Sequence, residues 1–163
     1  MGETLPIIEK LQRELAELQR ELSVELPKQL EEARAHGDIS ENAEYEAAKE
    51  RQGVLQARIG RLQERIRELS MYSRSSIKEG VAGYGSHLEV EDVESGERFH
   101  YELVFPEEAD PEAGRVSIGS PLGQALLHRR EGDEVTVRTP AGKRILEIVS
   151  LSTIHERDSR EEG

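Results

Sequence analysis

The sequence of 163 residues contains no cysteine and no tryptophan, and only 4% of its residues are aromatic. The absence of cysteine excludes disulfides, thiolate zinc sites and cysteine nucleophiles. No apolar run approaches the roughly 20 residues of a membrane span, and the N-terminus lacks the apolar core of a signal peptide. We therefore expect a cytoplasmic protein without a membrane partner. The shortage of large side chains also indicates that much of the chain is elongated and exposed.

The net charge of −12 is unevenly distributed along the sequence. Basic and acidic residues nearly balance up to Lys78, and the excess of acid begins at Glu79. An acidic protein has little attraction for the phosphates of duplex nucleic acid. If this protein acts on nucleic acid, we expect a partner protein to present it.

The first half of the sequence has the apolar spacing of two coiled-coil helices. When the helices are paired antiparallel, the residue numbers of each facing pair add up to 77, so one fold-back register satisfies both. This register also brings Leu30 opposite Ala47 and places the reversal between Asp38 and Ile39. Each arm then has about 30 residues and a length of about 45 Å. The facing pairs are Ile8 with Leu69, Leu11 with Ile66, Leu15 with Leu62, Leu18 with Ile59, and Leu22 with Leu55.

Residue types near the predicted reversal agree with it. Gly37 is a common helix terminator, and Asp38 followed by Glu41 is a typical capping pattern for the next helix. Pro27 lies inside the first arm and predicts a kink, because it removes one helical hydrogen bond and presses on the carbonyl of Ser23.

The second half of the sequence has the period and residue types of β-strands. Turns are predicted at Ser95–Gly96 and Pro140–Gly142. Ser120 before Pro121 is typical of a helix start and predicts a short helix through Leu127. The predicted strands are His87–Asp92, Arg98–Phe105, Glu134–Arg138 and Arg144–Val149.

These patterns predict a protein of two domains. Residues 1–78 form an antiparallel α-helical coiled-coil hairpin with its tip at residues 37–41. Residues 79–155 form an α+β domain, and residues 156–163 form a charged tail.

Asp38 and Glu41 are the residues of this sequence best suited to chemistry. The simplest interpretation is that they cap the second helix and complement its dipole, which contributes about 1 kcal/mol. Capping does not explain carboxylates at the end of a stalk of about 45 Å. Two carboxylates on a narrow tip suit Mg²⁺, which takes one or two protein carboxylates and completes its shell with water and phosphate. We expect another protein to supply the remaining ligands.

Stretches in both predicted domains resemble the Gre family of bacterial transcript-cleavage factors, GreA type. The first, GDISENAEYEAAKERQ over residues 37–52, is similar to the family's tip signature. The second comprises VSIGSPLGQALL over residues 116–127 and EGDEVTV over residues 131–137. Together these motifs are highly specific, and the resemblance covers nearly the whole chain.

The resemblance implies an FKBP-like C-terminal domain that docks on RNA polymerase at the rim of its secondary channel, while the coiled coil threads the channel. Asp38 and Glu41 occupy the family's two acidic tip positions, where they would help hold the second Mg²⁺ of the polymerase and orient a water toward the RNA phosphodiester. The protein would not be an enzyme. It would stimulate the polymerase's own cleavage of the nascent RNA 3′ end in backtracked complexes, as a monomer without a tightly bound cofactor of its own.

Basic residues on the second arm are candidates for contact with the RNA. Arg51, Arg58 and Arg65 recur every seven residues and form one stripe, while Lys49 matches a basic position of the family. The RNA-binding prediction covers Lys49, Arg51 and Arg58. The alternative is that the arginines are exposed flanking positions that balance nearby glutamates.

The resemblance also marks positions in the second domain. Ser120, Pro121 and Leu122 would contact the polymerase, which is compatible with their role in starting a helix. His128 and Phe105 stand where the family often has glycine.

Three alternatives have distinct consequences. Some Gre homologues occupy the channel and inhibit the polymerase without cleavage, but their tips tend to lose the motif found here. A free-standing prolyl isomerase needs an aromatic-lined cavity, and the second domain offers few aromatic residues for one. A purely structural coiled-coil adaptor predicts that the acids at the tip are dispensable. The aromatic residues of the predicted second domain are Tyr84, Phe99, Tyr101 and Phe105.

Overall fold

The computed structural model describes residues 4–36 and 39–156, without the side chains of residues 36–41. The chain divides into two compact units, Met1–Tyr72 and Ser73–Gly163. The described part of the first unit is helical, and the second is built on a five-stranded sheet. The predicted fold class, a helical hairpin followed by an α+β domain, is confirmed.

The first unit is a hairpin of two helical arms. In the first arm, α1 (Pro6–Arg20) continues through a π-helical turn (Glu21–Glu25) into α2 (Leu26–His36). The second arm is a single helix, α3 (Ile39–Leu69). In this hairpin α2 ends at His36, α3 begins at Ile39, and apolar side chains of the two arms pack together. The predicted capping residues Gly37 and Asp38 lie outside the described part of the chain.

Apolar side chains from both arms pack into one core along the hairpin. Predicted partners such as Leu18 with Ile59, and Leu22 with Leu55, all belong to this core, as the fold-back register requires. Burying one such leucine contributes about 1.5–3 kcal/mol. Leu26, which the predicted pairs do not include, is nearly inaccessible. The most buried members are Leu18, Leu26, Ala48, Leu55 and Ile59, with Leu15, Leu22, Leu30 and Leu62 packed around them.

The second unit carries a mixed sheet. Its strands follow the spatial order β3-β2-β1-β5-β4, with β2 and β3 parallel and every other neighbouring pair antiparallel. One register shift interrupts the pairing of β1 with β5, between Glu89 and Val90. The strands are β1 (His87–Asp92), β2 (Arg98–Val104), β3 (Arg115–Ser117), β4 (Glu134–Thr139) and β5 (Gly142–Ser152).

Alternation along the strands explains why one face of the sheet is buried. In β1, Leu88 and Val90 are inaccessible, while the alternate residues His87, Glu89 and Glu91 are partly exposed. A short helix, α4 (Pro121–Leu126), contributes Leu126 to the core on this face. The other buried members of the core are Ala82, Leu103, Val116, Val135, Val137, Leu146 and Ile148.

Candidate functional site

The predicted catalytic acids are Asp38 and Glu41, at the predicted tip of the hairpin. Asp38 lies outside the described residues. Glu41 is the third residue of α3, and its side chain also lies outside the described part. Their roles as catalytic residues and Mg²⁺ ligands therefore remain predictions. Within the described ranges, no group of three or more His, Asp or Glu side chains is arranged to hold a metal ion.

A tyrosine next to the tip lies between two cationic side chains. The guanidinium carbon of Arg34, on α2, lies 5.8 Å from the ring centroid of Tyr45, and the Nζ of Lys49 lies 6.0 Å from it. Arg34 also donates from Nη2 to the Tyr45 hydroxyl at 3.5 Å. The ring therefore attracts one cation from each arm. Lys49 remains exposed at this place, which is compatible with its predicted contact to RNA.

Arg51 of α3 forms a bidentate ion pair with Glu21 of the first arm. Its Nε donates to Oε2 of Glu21 at 2.7 Å, and its Nη2 donates to Oε1 of the same carboxylate at 2.9 Å. This hydrogen bond is the main cause that lowers the pKa of Glu21 and raises the pKa of Arg51. Both forked donors of Arg51 are thus directed at the first arm.

The arginine stripe on α3 has mixed surroundings. Arg58 is exposed, and its charge also lowers the pKa of Glu21. Arg65 donates from Nη1 to Oε2 of Glu68, one turn further along α3, at 3.0 Å. The structure thus places two of the three arginines, Arg51 and Arg65, in ion pairs with glutamates.

The loop before α4 is held by the hydroxyl of Ser120. This hydroxyl accepts from the backbone N–H of Gly123 at 3.0 Å and donates to the carbonyl of Ser117 at 2.7 Å. Pro121 follows in the first helical position, where its missing N–H costs nothing. Pro121 is exposed and Leu122 is half-buried against the sheet core. The helix start that the sequence predicts is present, and it leaves Pro121 available for a partner.

Gly123 allows an unusually close backbone contact in this loop. A Cβ at this position would lie 2.0 Å from the carbonyl oxygen of Ser117 and 3.0 Å from the Cα of Ile118. Real Cβ atoms do not approach backbone so closely, so only glycine fits. The glycine thereby fixes the path of the segment that carries the predicted polymerase contacts.

His128 and Phe105, at positions where the resembling family often has glycine, differ in backbone conformation. His128 keeps a positive φ of 68°, the left-handed region that normally favours glycine. Phe105 has an ordinary extended backbone with φ −78°, and its ring is buried and stacks on Tyr84 with centroids 4.7 Å apart. Glycine is therefore a better fit to the backbone at position 128, whereas Phe105 gains a packing role.

The aromatic residues of the sheet unit are engaged in packing. Besides the Tyr84–Phe105 stack, Phe99 and Tyr101 stack with centroids 6.0 Å apart, and both are partly buried against the core. The Tyr84 hydroxyl donates to Oε1 of Glu108 at 2.8 Å. These residues form two stacked pairs within the unit's own packing, which gives no support to an aromatic-lined isomerase pocket.

Both units match the same family of proteins. Residues 4–70 match the family described as "Transcription elongation factor, N-terminal". Residues 77–153 match "Transcription elongation factor, GreA/GreB, C-term". No helix in the described part of the chain is long and apolar enough to cross a membrane.

Full-length relatives agree with the family match. The chain is 46% identical over 143 residues to the transcription elongation factor GreA of Syntrophobacter fumaroxidans, covering 88% of this chain and 92% of the relative. It is 42% identical over 142 residues to GreA of Desulfovibrio desulfuricans, covering 87% of each chain. A solved structure, GreA factor homolog 1 of Thermus thermophilus, is 33% identical, with a TM-score of 0.41 and coverage of 89% of this chain and 94% of that one.

The helical hairpin matches the N-terminal family model, and the sheet domain matches the C-terminal one, in that order along the chain. The protein is therefore a transcription elongation factor. The chain belongs to the GreA/GreB family, and its relatives at this level of identity are of the GreA type. Members of this family act with RNA polymerase in transcription elongation, and they are not enzymes themselves.

Proposed function

We propose that this protein enters the secondary channel of RNA polymerase with its hairpin and stimulates cleavage of the nascent RNA 3′ end in backtracked complexes. The observation that carries the proposal is that α2, which ends at His36, and α3, which begins at Ile39, pack side chains into one core. The family's tip signature with Asp38 and Glu41 falls at this end of the hairpin. A long helical pair with carboxylates at its end suits delivery of acidic groups into a narrow site.

The donor chemistry of Asp38 and Glu41 fits a shared Mg²⁺. Both residues offer carboxylate oxygens, the ligands that this cation prefers, and two of them leave room for water and for ligands from the polymerase. When bound, such an ion would supply charge stabilisation for the attack on the phosphodiester. The two carboxylates would hold that ion and accept a hydrogen bond from the attacking water, which orients it. All other catalytic groups would belong to the polymerase.

The remaining surfaces have supporting roles in this proposal. Lys49 and Arg58 are exposed on α3 and would attract the phosphates of the extruded RNA. Ser120, Pro121 and Leu122, at the start of α4, would bind the rim of the channel. Because the hairpin buries its apolar seam within one chain, we propose that the protein acts as a monomer. We propose a cytoplasmic location from its family, whose members act in transcription.

The experiment uses a stalled, backtracked elongation complex with Mg²⁺ and labelled RNA. We expect the wild type to accelerate release of short 3′ RNA fragments, and Asp38→Asn with Glu41→Gln to abolish the acceleration. Glu46→Gln is the matched control, because Glu46 is an exposed acid on the same helix. Its acceleration should equal that of the wild type.

Binding to the polymerase separates the alternatives. The doubly substituted protein should bind nearly as well as the wild type, since docking is assigned to the sheet unit. Normal cleavage by the double variant would disprove the role of the acids. A wild type that binds and blocks nucleotide addition without cleavage would be an inhibitory homologue, an alternative that the similarity to GreA proteins does not favour.

A further inference from the structure

The first arm of the hairpin contains one residue more than a regular coiled coil requires. Its seam residues Leu18, Leu22, Leu26 and Leu30 are each four apart, whereas a coiled coil averages about 3.5 residues between seam positions. Three successive spacings of four would turn the seam away from α3. Leu26 is nevertheless buried to 1% exposure.

The π-turn Glu21–Glu25 absorbs the extra residue. The backbone N–H of Leu26 donates to the carbonyl of Glu21, five residues earlier, instead of the usual four. A π-turn therefore returns Leu26 to the seam. Pro27 favours the turn at this place, because its ring would press on the carbonyl of Ser23 in a regular helix. The hydroxyl of Ser23 also bonds to the carbonyl of Gln19 at 2.8 Å, a contact typical of bent helices.

The ion pair of Glu21 and Arg51 lies at the beginning of this turn. Glu21 is the first residue of the π-turn, and the bidentate contact fixes its direction relative to α3. Two parallel hydrogen bonds specify orientation as well as distance. The pair therefore fastens the two arms together where the backbone of the first arm is least regular.

Packing is lighter on the tip side of the pair. We define the tip segment as residues 26–36 and 39–51. Beyond Leu26, the most buried of its described side chains are the small Ala33 and Ala48. They border a groove of about 380 Å³ whose other lining residues are Gln29, Glu32, Glu44, Ala47 and Arg51. The large apolar residues of α3, Leu55 and Ile59, lie on the other side, toward the base. Few large contacts thus hold the orientation of the tip segment.

We infer that the π-turn and the Glu21–Arg51 pair form a joint that sets the direction of the tip segment, so that Arg51 is a positioning residue for RNA cleavage. This inference rests on the proposed function. It gives Arg51 a role through Glu21 instead of the RNA contact that the sequence predicts for it. The acids at the tip act only when they reach the reacting phosphate, and misplacement by about 1 Å can cost about 100-fold in rate.

Charge reversal distinguishes the two roles of Arg51. We expect Glu21→Arg and Arg51→Glu each to lower the maximal cleavage rate about tenfold or more. The factor concentration for half-maximal effect should change by less than about twofold, because the sheet unit carries the docking. The double variant with both reversals should recover most of the rate, since the pair is restored with opposite polarity. Arg61→Glu, at an exposed position on the same helix, should retain the wild-type rate.

A direct contact of Arg51 with RNA would give another pattern. In that case Glu21→Arg would be nearly silent, and the double variant would be as defective as Arg51→Glu. Either result would overturn the positioning role. If no protein in the series stimulates cleavage, including the wild type, the proposed function fails, and a structural measurement must test the joint.

Spin-label distances supply this measurement without any RNA. The chain has no cysteine, so labels can be attached to Glu14→Cys and Glu46→Cys, both exposed positions. We expect a narrow distance distribution in the wild type, a broader one in either single charge reversal and a narrow one again in the double variant. Identical distributions in all four proteins would overturn the joint.

Removal of the extra residue tests the π-turn itself. Deletion of Val24, which is 43% exposed, combined with Pro27→Ala, gives seam spacings of four and three in alternation. The arm can then form one regular α-helix, so we expect a higher melting temperature. The maximal cleavage rate should nevertheless fall about tenfold or more, because the tip segment points elsewhere. A more stable hairpin with the full cleavage rate would show that the π-turn is not needed.

Discussion

His128 is the only residue other than glycine with a positive φ in the described part of the chain. Its N–H donates to the carbonyl of Ala82 at 2.9 Å, and the carbonyl of Arg129 accepts from the N–H of Ala82 at 2.8 Å. This pair of backbone hydrogen bonds fixes the conformation at position 128, two residues after the end of α4. The side chain of His128 is exposed, so a substitution acts mainly through the backbone preference.

His128→Gly should therefore stabilise the sheet unit. The left-handed conformation costs a residue with a Cβ about 1–2 kcal/mol. Glycine avoids this cost but gains about 0.4–1 kcal/mol of freedom in the unfolded chain. The expected net increase in the free energy of unfolding is about 0.5–1 kcal/mol. His128→Asn should give part of this gain, and His128→Val should lower stability.

The assay must report on the sheet unit alone, because a chain of two units need not unfold in one step. Hydrogen exchange of the Ile148 amide, which donates to the carbonyl of Asp133 at 2.9 Å, reports the opening of this unit. Gly96→Ala is the matched control, since Gly96 has a φ of 75° and a Cβ added there would meet no atom within 4 Å. It should lose about 1 kcal/mol. If both His128→Gly and Gly96→Ala lower the free energy of unfolding, the argument from the left-handed backbone conformation is refuted.

Three further predictions concern other positions. Gly53→Ala should raise the melting temperature, with a gain of about 0.8–1 kcal/mol, because Gly53 lies inside α3 with open space around it; a decrease would contradict this. Gly123→Ala should cost about 3 kcal/mol or more through its clash with the Ser117 carbonyl, whereas Gly119→Ala, in ordinary contact, should unfold near the wild-type temperature. The pKa of the Asp92 carboxyl is lowered because it accepts backbone hydrogen bonds, of which the one from the Ser95 N–H has the largest effect. A folded pKa below the unfolded value of about 3.9 means that this carboxylate stabilises the protein above that value and loses its effect as the pH falls. Asp92→Asn should lower the free energy of unfolding at pH 7 and flatten its decline between about pH 5 and pH 2; an unchanged slope would exclude a role for Asp92.

The sequence was sufficient for the hairpin because the seam of a coiled coil is a local and periodic signal. Five facing pairs agreed on one register, and the core formed by Leu18, Leu22, Leu55 and Ile59 follows it. Leu26 was missed, because it enters the seam only through the π-turn. The available signal was the run of three successive spacings of four residues between leucines of the first arm, and Pro27 marked the position of the π-turn.

Contacts of long polar side chains were harder to foresee. Glu21 and Arg51 are not facing residues in the register, and the reach of both side chains brings them together. Arg34 and Tyr45 lie close to the register, so their contact could have been found from it. In the sheet unit, the strand Arg115–Ser117 was missed because three residues show no periodicity, and its parallel pairing with β2 has no turn signal.

The strand order has a consequence for the protein during synthesis. The middle strand, β1, pairs on one side with β5, so that His87 lies beside Ser152. The ribosome must therefore release the last strand before the sheet can close around its centre, whereas the hairpin can form from residues made much earlier. Closing such a long loop is slow compared with forming helices. A nascent chain thus carries a finished hairpin beside an unfinished sheet, whose open β1 edge is available to chaperones or to aggregation.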